Sequence, residues 1–163
     1  MLKSTCIGLA VLLGVAALAN GVFMLLAPEA WYFAVPGVTT TGSFNQHFIR
    51  DIGLIFLFMG AGFLAGAFQP RQRLLFWAAP TIWLSGHALF HFWEVAVGIC
   101  SASAIARDFP AVTLPAILGW LLTAWAFRNR APEEAAWPRS RRPSPPAPRP
   151  AAATLRPPPL SPI

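Results

Sequence analysis

The chain has 163 residues, 56% of them hydrophobic and only 11% charged, with a mean hydropathy of +0.56. A water-facing domain carries about 25% charged residues, so this composition excludes an ordinary soluble globule and points to one integral membrane domain. The formal net charge of +6 lies mostly toward the C-terminal end, a distribution that fits topology and anionic lipid and argues against a nucleic-acid interface.

Four apolar segments follow in chain order, over about residues 5–27, 47–68, 74–100 and 111–127. Each is near the ~20 residues that cross a hydrocarbon core, and a backbone in lipid must satisfy its own hydrogen bonds, so each is expected to be a helix. The predicted fold is all-α: an antiparallel four-helix transmembrane bundle over residues 1–128. Lys3, an apolar run and Ala17-Leu18-Ala19 have the layout of a signal peptide. The run continues through Phe23, Met24, Leu25 and Leu26, however, and is read as a retained helix. Gly14 and Gly21 in the first segment, and Gly53, Gly60, Gly62 and Gly66 in the second, are expected to let helix backbones approach closely. Pro80 and Pro115 fall inside the third and fourth segments and are expected to kink them. Cys6 and Cys100 have neither a CxxC partner nor metal-ligand spacing and read as small apolar filler.

Loop charge sets the expected orientation. Lys3, Arg71, Arg73, Arg128, Arg130, Arg139, Arg141 and Arg142 fall at one end of the bundle, whereas the other loops hold Glu29 and the neutralising pair Arg107 and Asp108. The positive-inside rule then places both termini in the cytoplasm of a cell with this protein in its inner membrane. Residues 129–163 contain most of the prolines, in runs such as PSPPAPRP. They are expected to form a disordered cytoplasmic tail, partly polyproline II.

The stretch GHALFHFWE carries the chemistry. His87, His91 and Glu94 fall within roughly a 60° arc of one helix face. The second segment opens with NQHFIRDIG, in which His47 and Asp51 share a face and Arg50 is adjacent. Asn20 lies at the matching depth of the first segment. Polar groups from three helices are therefore expected in one outer layer, with Glu94 about 9 Å before the end of its helix at ~1.5 Å per residue and almost nothing polar in the inner half. A charge at a membrane-helix centre costs about 2.5–3.5 kcal/mol, so Arg50, Asp51 and Glu94 are expected to face inward and pair with one another. Three readings stay open for this layer. It is a structural hydrogen-bond network that fixes helix register, or a metal or haem site with His47, His87, His91 and Glu94 as ligands and Asp51 beside them, or a pocket for a quinone-like molecule in which histidine and carboxylate handle protons. A continuous transmembrane proton path would need polar groups through the inner half as well.

The block RDIGLIFLFMGAGFLAGAFQPRQRLLFWAAPTIWL resembles the DoxX-like superfamily of small four-helix bacterial membrane proteins. Asp51, Gly53, Gly60 and Arg71 occupy the places of that family's acidic residue, glycines and arginine-containing turn, and NGVFMLLAPEAW, from Asn20 to Trp31, is similar to the end of its first helix. The block is still more similar to a branch with an HFxRDxG element and a histidine pair in the third helix. The resemblance covers about residues 10–127. It implies a four-helix fold and, for some members, membership of quinone-linked sulfur-oxidation or redox-stress membrane complexes, hence membrane redox subunits or further copies of the chain as partners. Asp51 stands where the family usually has Glu, His87 and His91 are not general family features, and no catalytic role transfers residue by residue.

Overall fold

The computed structural model describes residues 2–130, so the proline-rich tail lies, from residue 131 on, outside the described residues. Among the described residues every regular element is helical. Helix α1, Leu2–Leu26, is rich in Ala, Leu and Val and has no proline. It stops because Ala27 precedes a proline and leaves the helical region, at φ −138° and ψ 62°. Pro28 then opens α2, Pro28–Ala34, at the first helical position, where a missing N–H costs nothing. A 3₁₀ turn over Val38–Thr40 follows Gly37, whose φ of 89° suits only glycine.

Helix α3, Gln46–Phe68, is capped by Asn45, whose side-chain oxygen accepts the Phe48 N–H at 3.1 Å. Helix α4 spans Arg73–Ala96. Its end falls earlier than the apolar run suggests. Gly98, at φ 80°, donates to Val95 O, and Ile99 donates to Glu94 O at 2.9 Å. These two bonds make a Schellman motif that turns the chain back. The last span begins earlier than expected: α5, Ser103–Asp108, a π-helical turn, Phe109–Thr113, and α6, Leu114–Arg128, run on from one another. Leu2–Leu26, Gln46–Phe68 and Ser103–Arg128 are each long and apolar enough to cross a membrane.

Helix α1 packs on α3, α3 on α4, and α4 on α6, with lighter contact between α1 and α6. Glycines set the first two contacts. A β-carbon on Gly21 would lie 2.7 Å from Gly53 O, and one on Gly60 would lie 2.7 Å from Gly14 O, so the backbones of α1 and α3 touch where side chains would otherwise intervene. Gly62 does the same for α4. Pro80 leaves the carbonyl of Phe76 without its helical donor, and Gly62 packs against that carbonyl, its β-carbon position 3.1 Å away. Helix α4 continues through Pro80. Trp77, Phe63, Met24, Leu122 and Thr81 are the largest fully buried side chains, while Phe58, Leu75, Leu89 and Leu121 are exposed on the long helices.

Polar groups also lie at the end away from the histidines, which corrects the expectation of an almost apolar inner half. Arg73, read from sequence as a loop charge, is the buried first residue of α4. Its Nε donates to Gly66 O at 2.8 Å and its Nη2 to Ala67 O at 3.2 Å. Its guanidinium lies 5.3 Å from the Trp77 ring centroid and 5.6 Å from that of Trp125. Further along, Thr81 and Thr123 hydroxyls meet at 3.4 Å, and the Trp120 indole donates to Ser85 Oγ at 2.9 Å, tying α4 to α6.

Candidate functional site

The Schellman turn after α4 sends the chain back along that helix, which carries α5 to the face that bears the histidines. The π turn between α5 and α6 contains one residue more than an α turn would, and so sets α5 in its own register. Pro115, which lacks an N–H, removes the bond that would otherwise hold Ala111 O in a regular α-helix. As a result Asp108 Oδ2 lies 3.2 Å from His91 Nδ1. Arg107 binds both oxygens of the same carboxylate, Nε to Oδ1 at 2.6 Å and Nη2 to Oδ2 at 3.0 Å. The Asp108 side chain is only 13% exposed and that of His91 25% exposed, so the pair is largely shielded.

The chemistry of this arrangement follows from its donors. A carboxylate gripped by a guanidinium is ionised and can only accept. His91 Nδ1 is therefore the donor, and its Nε2 is left with a lone pair whenever the ring is neutral. One helical turn deeper, the His87 ring meets the His91 ring edge-on at 4.7 Å between centroids and stacks on Trp83 at 5.0 Å. Trp83 meets Phe56 of α3 at 5.8 Å. The row Arg107, Asp108, His91, His87, Trp83 thus runs from an exposed guanidinium to the apolar contact of α3 with α4. The Arg107 guanidinium also covers Gly37, where a β-carbon would collide with it. A cavity of about 10 Å³ beside His91, Cys100, Asp108 and Thr113 has room for about one water.

The other residues singled out from sequence go elsewhere. His47 Nε2 and Asp51 Oδ2 pair with each other at 3.2 Å, with side chains 88% and 55% exposed. Arg50 donates to Leu25 O at 3.2 Å, closing the end of α1. Asn20 Oδ1 accepts the Trp31 indole N–H at 2.9 Å, and its amide lies 3.5 Å from Met24 Sδ. Glu94 is buried in the last turn of α4. The expected pairing of Arg50, Asp51 and Glu94 does not form: among the described residues the ion pairs are His47 with Asp51, His91 with Asp108, and Arg107 with Asp108. The reason is the face of α3. Its buried stripe includes Ile49, Gly53, Gly60 and Phe63, which turns Asp51 outward, about 200° from Ile49 at ~100° per residue.

A metal-ion centre built from these side chains finds no support in this geometry. Among the described residues no three His, Cys, Asp or Glu side chains gather as a ligand group, so His47, His87, His91 and Glu94 do not make one. Sequence reading missed Asp108 and Arg107 as site residues, having placed them in a loop. The signal for them is the helix-compatible stretch SAIARD just ahead of the last apolar run. No family model, curated protein or solved structure matches the chain.

Proposed function

We propose that the chain is an antiparallel four-span bundle of the bacterial inner membrane, with both termini cytoplasmic. In this reading it is a DoxX-like, redox-linked component whose histidine end exchanges protons with a quinone-type carrier. Support for four spans comes from α4, which is as long as the helices around it and keeps Arg73 and Glu94 at its two ends. Support for the antiparallel order comes from the contacts of Gly14 with Gly60 and of Gly21 with Gly53, and of Thr81 with Thr123 and Ser85 with Trp120. The orientation rests on the positive-inside rule.

One observation carries the proton chemistry: the His91–Asp108 contact, with Asp108 held by Arg107. A carboxylate that fixes one ring nitrogen leaves the other able to take a proton from a hydroxyl and later return it, the arrangement of a general base. His87 stands next in line. The carrier is proposed to reach this pair from the surrounding leaflet.

A purely structural role is the second reading, and two observations favour it. The cavity at His91 is only about 10 Å³, and among the described residues no buried side-chain polar atom lacks a hydrogen-bond partner. Asp108→Asn and His91→Ala in detergent-purified protein separate the two. The quinone reading expects native protein to carry a quinone on solvent extraction and to show quenching of tryptophan fluorescence with a short-chain quinone. Both variants should lose at least about tenfold in affinity while staying folded, with a fall in melting temperature no larger than the ~1 kcal/mol of one partly exposed pair. Melting temperatures that fall with no quinone bound by the native protein would overturn the quinone reading and leave the structural one.

A further inference from the structure

The charges of the described residues are divided between the two ends. Glu29, Asp51, Glu94 and Asp108 are their only carboxylates, and all four lie at the end where α1 and α4 finish and α3 begins. The opposite end holds Lys3, Arg71, Arg73, Arg128 and Arg130. These cations share one end because Gly14 lies against Gly60 and Leu64, and because Arg73 stacks on Trp125, one turn before Arg128. Arg73 is buried and bonded to α3 carbonyls. Lys3, Arg71, Arg128 and Arg130 are exposed, and among the described residues none of them forms an ion pair with a carboxylate.

A groove opens below this basic end. It has a volume of about 570 Å³ and an apolar wall, with Gly62 and Ala65 from α3 and Leu75, Ala79, Pro80 and Trp83 from α4. From Leu75 to Trp83 it follows α4 for about 12 Å at ~1.5 Å per residue. The loop that carries Arg71 joins the same two helices, and Leu75, at the near end of the groove, follows Arg71 by four residues. Small residues on α3 and the proline on α4 make the notch.

We propose that this is a binding site for an anionic diacyl phospholipid, its phosphate held by Arg71 and one acyl chain laid in the α3–α4 groove. The inference rests on the membrane reading above. Charge complementarity selects the headgroup, since uncompensated arginines attract phosphate, and the apolar wall selects a chain. Both requirements are met in one molecule only if it has both parts.

Native mass spectrometry of the full chain, purified in mild detergent and offered phosphatidylglycerol and phosphatidylcholine of identical chains, tests this. Phosphatidylglycerol should be retained about fivefold more, the effect of one arginine at an anionic surface. Arg71→Gln, an exposed change, should abolish that preference without altering the melting temperature. Ala65→Phe, which fills the groove, should lower retention of both lipids alike, and a second plug, Ala79→Phe, guards against misfolding of the first. Inorganic phosphate should fail to displace the lipid, whereas displacement would assign a free-anion site and overturn the proposal. Equal retention of the two lipids, or a quinone or a second copy of the chain in the groove, would overturn it too. A chain that does not sediment with membranes would instead defeat the membrane reading itself.

Discussion

Arg73 and Arg107 are both guanidiniums at helix ends, and their surroundings differ. Arg73 is buried and has no carboxylate partner among the described residues; the terminal carbonyls of α3 and the faces of Trp77 and Trp125 stabilise its charge. Arg107 is exposed and grips Asp108, which in turn holds His91. The first arrangement holds only a fixed charge, and the second presents an imidazole whose ring is oriented by the carboxylate. A helix C-terminus already carries partial negative charge, so an arginine there needs no acid and forms a fixed fastening. An arginine spent on a carboxylate leaves that carboxylate able to orient a histidine, and chemistry becomes available.

The largest effect is expected at the fixed end. Arg73→Ala leaves two carbonyls without their donor and removes a cation from two indole faces. It should cost about 3 kcal/mol, read as a fall in the melting temperature in detergent, with the same fall at pH 5 and pH 8. Lysine should not restore stability, because one ammonium cannot reproduce the fork that reaches Gly66 and Ala67. A loss that depends on pH would break the contrast. Arg107→Gln should cost less, about 1 kcal/mol for a partly exposed pair. A cost as large as that of Arg73→Ala would break the contrast. His47→Ala, which removes an exposed i, i+4 pair, should cost about 0.3–0.5 kcal/mol. A larger loss would mean that His47 has a partner in the membrane-embedded protein.

Much of the helical layout was legible from apolar runs, because length and composition alone decide which segments suit lipid. The glycines of α1 and α3 were legible too, since their seven-residue spacing keeps them on one face. The ends of elements were less so. Gly98 terminates α4 inside a run that stays apolar to Cys100, and apolar content says nothing about a left-handed residue. For the site, the periodicity of α4 correctly put His87 and His91 on one face. The same rule put His47 and Asp51 together but was silent on which way that face turns, which depends on Ile49 and Gly53 packing inward. The burial of Arg73 needed Trp125 from a distant helix, and the contact of Asp108 with His91 needed a π turn. Neither is visible until the chain is folded.

That wide turn makes segment length part of the site. Deleting one residue between Phe109 and Thr113 would take the extra residue out of the wide turn and leave the composition of the apolar run nearly unchanged. Everything ahead of the deletion would swing by about 100°, carrying the acid away from its histidine. Such a shortened chain would keep both side chains and separate them, which makes it a probe of the proton chemistry that no exchange of side chains supplies.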